Sequence, residues 1–212
     1  HYAAEWKIAK AINSLLVKGA DINARNANGE TPLFNSAKSN SPNIIQTIVD
    51  GGGEIQARDN LGSTAIHAAV RWDAVTSIDK LVSLGINVNA QNTSGKSPLA
   101  EAAAAGKFDI AKRLLELGAD PNSCDTEGVT ILMDSIRGLN INNVKLLLEN
   151  GANPNMQDIN GKNAYHVAAQ MQNKEIIRLI RNAGGNPLSR DKMGNTPFST
   201  VLYADNKIIS EV

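Results

Sequence analysis

The chain has 212 residues, and its 21 basic and 21 acidic side chains leave no formal net charge. That balance argues against a general nucleic-acid binder, which carries a marked basic excess, and against a polybasic membrane anchor. No apolar stretch approaches the roughly 20 residues that span a bilayer, and the single cysteine, Cys124, excludes an intrachain disulfide and fits a reducing compartment.

In chain order the same unit recurs every 33 residues without insertion. A glycine with Asp or Asn three places before it returns at Gly29, Gly62, Gly95, Gly128, Gly161 and Gly194, and a second keeps the same beat at Gly19, Gly52, Gly85, Gly118, Gly151 and Gly184. A fixed period of this length predicts stacked repeats, none of which buries its apolar face alone. The first, partial unit (1–24) opens with His1, in the column of His67 and His166, so it begins inside a helix start whose first three positions are absent. Full units are expected at 25–57, 58–90, 91–123, 124–156 and 157–189, with a second partial unit at 190–212. The chain therefore reads as one repeat domain within a longer protein.

Within each full unit, a turn such as Asp59-Asn60-Leu61-Gly62 leads to a short first helix. Its N-terminal column holds Thr31, Thr64, Ser97, Thr130, Asn163 and Thr196, all short polar residues that cap unpaired helix N–H groups. Pro32, Pro98 and Pro197 follow in three units, where the missing N–H costs nothing. Small residues at Ala3, Ser36, Ala69, Ala102, Ser135 and Ala168 allow neighbouring first helices to approach closely. A second helix carries apolar columns at helical spacing, Ile12, Ile45, Ile78, Ala111, Val144 and Ile177 in one and Leu15, Ile48, Leu81, Leu114, Leu147 and Ile180 in the other. These columns predict its buried face. The second glycine then ends it.

Some positions depart from the pattern. Ile131-Leu132-Met133-Asp134 lacks both the proline and the histidine found elsewhere. Arg181 stands in a column where Leu16, Val49, Val82, Leu115 and Leu148 are expected to supply core, and Leu188 stands where Asn or Gln otherwise closes the loop. Unit 157–189 is thus expected to pack less well against the partial unit at 190–212.

The segments Thr-Pro-Leu-Phe (31–34), Ser-Pro-Leu-Ala (97–100), Thr-Ala-Ile-His-Ala-Ala (64–69) and Gly-Ala-Asp-Pro-Asn (118–122) resemble the ankyrin repeat, and the likeness covers the whole chain. The resemblance implies an all-α repeat solenoid of antiparallel helix pairs stacked in an L-shaped array, with projecting β-hairpins. It also implies a concave face lined by the shorter helices and the hairpins. Histidines of the family bridge backbone or hydroxyl groups between adjacent units, which is the role expected of His1, His67 and His166.

Nothing in the sequence reads as an active site. No two of the three histidines come from adjacent units, so neither a metal cluster nor a catalytic pairing is expected among them. Asp50-Gly51-Gly52-Gly53 lacks the Lys-Ser/Thr of a phosphate loop. Asp59, Asp125, Asp158 and Asp191 are turn-forming residues, one per unit, and Cys124 is expected to face solvent. In ankyrin proteins, the end of the first helix and the hairpin tip touch partners. The first of these falls here at 5/6, 38/39, 71/72, 104/105, 137/138, 170/171 and 203/204, and it holds both tryptophans of the chain. The partner-binding residues expected are Trp6, Lys38, Arg71, Trp72, Arg137, Met171 and Tyr203, because Trp, Tyr and Arg are enriched among binding hot spots. Leu61, Val129, Ile159 and Met193 add apolar tip contacts, and Lys96, Lys162 and Lys192 add positive charge there.

The function expected is a non-catalytic scaffold for a partner protein, monomeric and intracellular, with no cofactor, no metal, no nucleic acid and no membrane insertion. Two alternatives are a regulatory or targeting module of an enzyme elsewhere in a longer chain and a nucleotide-binding array using Trp72 and Arg71.

Overall fold

The computed structural model describes residues 1–199. Those residues form helices joined by tight turns, with no strand among them, and one isolated antiparallel bridge pairs Cys124 with Thr130. The chain divides into two compact units, one built from His1–Ala102 with Arg113–Ala119 and the other from Ala103–Lys112 with the residues from Asp120 onward.

The first unit contains α1 (Tyr2–Glu5), α2 (Ala9–Val17), α3 (Pro32–Lys38), α4 (Pro42–Asp50), α5 (Ala65–Arg71) and α6 (Val75–Ser83). Here α3 packs between α1 and α5, and α4 packs between α2 and α6. Helices α7 (Pro98–Ala104) and α8 (Phe108–Glu116) each contribute residues to both units. The second unit contains α9 (Ile131–Arg137), α10 (Ile141–Glu149), α11 (Ala164–Met171) and α12 (Lys174–Asn182), with α9 against α11 and α10 against α12. The core is the aliphatic columns seen in the sequence, with Ile45, Ile48, Ile78 and Leu81 buried in the first unit and Val144, Leu147, Ile177 and Ile180 in the second. Leu15 is the exception. It is 49% exposed, over a small apolar cavity lined by Ile12, Leu16 and Ile48.

Both helix ends of each pair close the same way. The nine-residue helices stop at a left-handed glycine, such as Gly52 (φ 89°) or Gly151 (φ 87°), and the residue after it bonds back to the last core carbonyl, as Gly53 N–H does to Ile48 O at 2.8 Å. The short helices end in a second left-handed column that the sequence hides. Lys7, Asn40, Asp73, Gly106, Leu139 and Gln172 all have positive φ, between 50° and 69°. The next N–H again bonds back across the turn, from Ala74 to Ala69 O at 2.9 Å and from Asn140 to Ser135 O at 2.9 Å. Those acceptors lie in the column of small residues.

Two expectations are corrected. The Thr31 hydroxyl is buried without a partner, because the Phe34 N–H it was to receive goes instead to Thr31 O at 3.0 Å. At three other positions of that column the cap does form, with Ser97 accepting from Ala100 N, Thr130 from Met133 N and Asn163 from His166 N, each at 3.2 Å. The column holding Leu16, Val49, Val82, Leu115 and Leu148 is half-buried rather than core, and it lies at the edge of the helix face. Arg181 in that column is exposed, and α12 still buries Ile176, Ile177 and Ile180.

Candidate binding face

The hairpins are built by one carboxylate or amide each. Asp59 Oδ1 accepts from Leu61 N (2.9 Å) and Ser63 N (2.8 Å), and Asp158 Oδ1 accepts from Asn160 N and Lys162 N (both 2.9 Å). The aspartate column is therefore committed to turn closure. Successive hairpins are then tied together, Thr93 N–H to Leu61 O in the first unit and Lys192 N–H to Asn160 O in the second, both at 2.9 Å. The bond passes close over a glycine, and a Cβ on Gly161 would lie 2.8 Å from Lys192 N. A ladder of amide side chains runs beneath. In the second unit Asn122 donates to Gly151 O (3.1 Å) and accepts from Asn153 N (2.7 Å), and Asn155 repeats both contacts with Gly184 O (2.9 Å) and Asn186 N (2.8 Å). Leu188 falls in the same column and is 75% exposed.

Two of the three histidines, His67 and His166, bridge backbone groups of adjacent repeats as expected, and His1 does not. His67 is fully buried, its Nδ1 accepts from Thr64 N–H (3.1 Å), and its Nε2 reaches Lys96 O in the next repeat (3.1 Å). Since Nδ1 is the acceptor, the proton of the neutral ring belongs on Nε2, facing that carbonyl. Burial pushes the His67 imidazole below its ordinary pKa of 6.5, against the opposing pull of Glu101. His166 repeats the arrangement with Asn163 N and Asn195 O, both at 3.2 Å. His1 instead meets Asn35 Oδ1 at 3.4 Å, and its Nε2 is buried without a partner. Cys124 is half-buried, not solvent-facing, since its backbone is held in the bridge to Thr130. No group of three or more metal-ligating side chains forms among the described residues.

What remains accessible is the rim where the short helices end. Trp6 caps α1 and Trp72 caps α5, each immediately before a left-handed residue, so both side chains leave the helix beyond its buried face. Trp6 is 71% exposed and Trp72 64% exposed. Trp72 forms one wall of a cavity of about 300 Å³ shared with Glu5, Asn35, Lys38 and Ser39. Trp6 does not line it.

The cations expected on this face are already engaged. Lys38 Nζ lies 2.6 Å from Glu30 Oε1. Burial pushes the Glu30 carboxyl up, but the hydrogen bonds from Lys38 and Asn26 outweigh it and hold the group below its ordinary range. Arg71 grips Glu101 with two nitrogens, Nε at 2.9 Å and Nη2 at 2.7 Å, and Nη2 also reaches Ser63 Oγ at 2.7 Å. Glu101 comes from the next repeat, 30 residues on, so only the fold brings the pair together. In the second unit Arg137 pairs with Asp134 at 3.2 Å, and Met171 is half-buried at the end of α11. Tyr203 lies outside the described residues. At the hairpin tips Leu61, Ile159 and Met193 are exposed, whereas Val129, expected among them, is buried, with its N–H held by Asp125 Oδ1 at 2.9 Å.

A family model described as ankyrin repeats, three copies, matches residues 1–92, 77–158, 99–191 and 138–209. Among solved structures, the chain is similar to the ankyrin repeat domain of Bcl-3, a member of the IkappaB protein family. The TM-score is 0.89 and the identity 24%, covering 99% of this chain and 95% of that one. It is also similar to an ankyrin repeat domain from Acinetobacter baumannii AYE, with a TM-score of 0.76 and 25% identity over 88% of this chain and 97% of that one. No curated protein matches the sequence. No helix among the described residues is long and apolar enough to cross a membrane.

Proposed function

The chain belongs to the ankyrin repeat family, and we propose that it is a non-catalytic scaffold that binds a partner protein along the exposed ends of its short helices. The observation that carries this reading is the placement of both tryptophans. They occupy the same column two repeats apart, and each leaves most of its surface in water, whereas Phe34 of the same unit is fully buried. Large aromatic surfaces held on rigid helix ends are well suited to act as binding anchors, since little side-chain freedom is lost on docking. Lys38 and Arg71 in the first unit are held by Glu30 and Glu101; in the sequence repeat, Arg137 and Met171 of the second unit stand in the columns of Arg71 and Trp72.

Truncating a hot-spot tryptophan costs about 2 kcal/mol or more of binding energy, a loss of about 30-fold in affinity. The test is capture from a native lysate by the unaltered chain, by a Trp6→Ala, Trp72→Ala double variant and by a Ser83→Ala control on α6. Support requires a protein held by the first and third and released by the double variant. An identical set on all three would show that the tryptophans do not form the binding face.

A further inference from the structure

The cavity beside Trp72 has a charge character of its own. Of its five lining side chains, Glu5 and Lys38 carry charge, and Lys38 is neutralised by Glu30 at 2.6 Å. Arg71, next to Trp72 in sequence, is neutralised by Glu101 at 2.7 Å. Glu5 is exposed at the end of α1, and its carboxylate has no partner among the described residues. The remaining wall is polar: Asn35 supplies an amide, and the Ser39 hydroxyl is bonded to Ser36 O and Ser41 Oγ, both at 3.2 Å. The Trp72 side chain and the Glu5 carboxylate thus line one small space whose cation, Lys38, is already paired.

We propose that this cavity receives an arginine side chain of the docked partner, its guanidinium stacked on the Trp72 indole and paired with the Glu5 carboxylate. The inference rests on the reading of this face as a protein-binding surface and specifies the chemistry of the partner. A planar, weakly hydrated cation is attracted to the face of an indole and fits a carboxylate through paired N–H donors. A phosphate or carboxylate ligand would meet Glu5 with like charge. The volume, about 300 Å³, lies at the lower end of the range for small-molecule sites. It suits a single side chain of an extended segment better than a nucleotide.

The two tryptophans give two indole N–H signals in a ¹H–¹⁵N spectrum, assigned with Trp6→Phe and Trp72→Phe. The probe is a capped Gly-Gly-Arg-Gly-Gly peptide, run beside versions with Gln, Lys or Glu at the centre. The Trp72 signal is expected to shift saturably with the Arg peptide in the millimolar range, as a single anchor residue allows. The Trp6 signal should move less, and the Gln and Glu peptides should leave both in place. Glu5→Gln, at an exposed position, should leave the rest of the spectrum superimposable and weaken Arg-peptide binding about fivefold, the upper end for an exposed pair. An unmoved Trp72 signal, equal shifts from the Gln, Lys or Glu peptide, or an unchanged affinity in Glu5→Gln would each overturn the proposal. These outcomes are separable from the underlying reading. That reading falls if the double tryptophan variant keeps the partner, whatever the peptides do.

Discussion

Replacing His67 with alanine removes a side chain that closes two repeats at once. The ring is fully buried; it accepts the Thr64 N–H at 3.1 Å, lies 3.0 Å from Thr64 Oγ1 and reaches Lys96 O at 3.1 Å. Alanine leaves the Thr64 N–H buried without its acceptor, a cost of about 1–3 kcal/mol, and takes from Lys96 O a bond worth about 1 kcal/mol. With the space left by the imidazole added, the loss should total about 3–4 kcal/mol. In a domain of this size that lowers Tm by about 10 °C. Urea unfolding monitored by circular dichroism reads the loss directly as a shift in midpoint at constant slope. The same residue sets a pH dependence. Its folded pKa lies below the ordinary 6.5 because burial disfavours the charged ring. Below about pH 6.5 the unfolded chain takes up a proton that the folded chain refuses, so stability is full above that value and declines as pH falls towards the folded pKa. His67→Ala should show a shallower decline over that window. A loss under about 1 kcal/mol, or an unchanged pH slope, would refute the bonding described for the ring.

Leu139→Gly should stabilise the chain by about 1 kcal/mol, read as a Tm rise of a few degrees, because Leu139 is a half-exposed side chain held at φ 52° where glycine carries no penalty. Asn122→Ala removes both rungs that it shares with Gly151 and Asn153 and should cost about 1 kcal/mol in urea unfolding, water replacing part of what is lost at that exposed position. Phe34→Ala, at a site with no exposure, should cost about 3–5 kcal/mol, while Trp72→Ala, 64% exposed, should cost no more than about 2 kcal/mol. Comparable losses from the two would place Trp72 in the core and remove the argument for the binding face.

The parts legible in the sequence are those where a backbone requirement selects a residue type. Left-handed helix ends select glycine at Gly52 and Gly151, close helix approach selects Ala or Ser at Ala69 and Ser135, and the buried rungs select His67 and His166. The turn inside each helix pair was not legible, although it is just as regular. Lys7, Asn40, Asp73, Leu139 and Gln172 take the same left-handed conformation as Gly106; Asn and Asp accept it readily, but Lys7 and Leu139 are held there by the backbone bond that closes the turn, Ile8 N–H to Ala3 O and Asn140 N–H to Ser135 O, rather than by their own preference. Arg71 with Glu101 was hidden for a different reason. The two are 30 residues apart and belong to neighbouring repeats, so only stacking brings their charges together. For the candidate site, the column of helix ends could be read directly. Which of its charges are already neutralised could not, because Glu30 and Glu101 lie outside that column. Their columns place Val129 and Cys124 on an exposed hairpin, whereas the hydrogen bonding around Asp125 and the bridge to Thr130 draw both inward.

The most direct test is hydrogen exchange of the chain alone and in complex with the partner it captures. A partner docked on the short-helix ends slows exchange at the amides around residues 5–7, 38–40 and 71–73. Protection confined to the long helices α2, α4 and α6, with those amides unchanged, would contradict docking there.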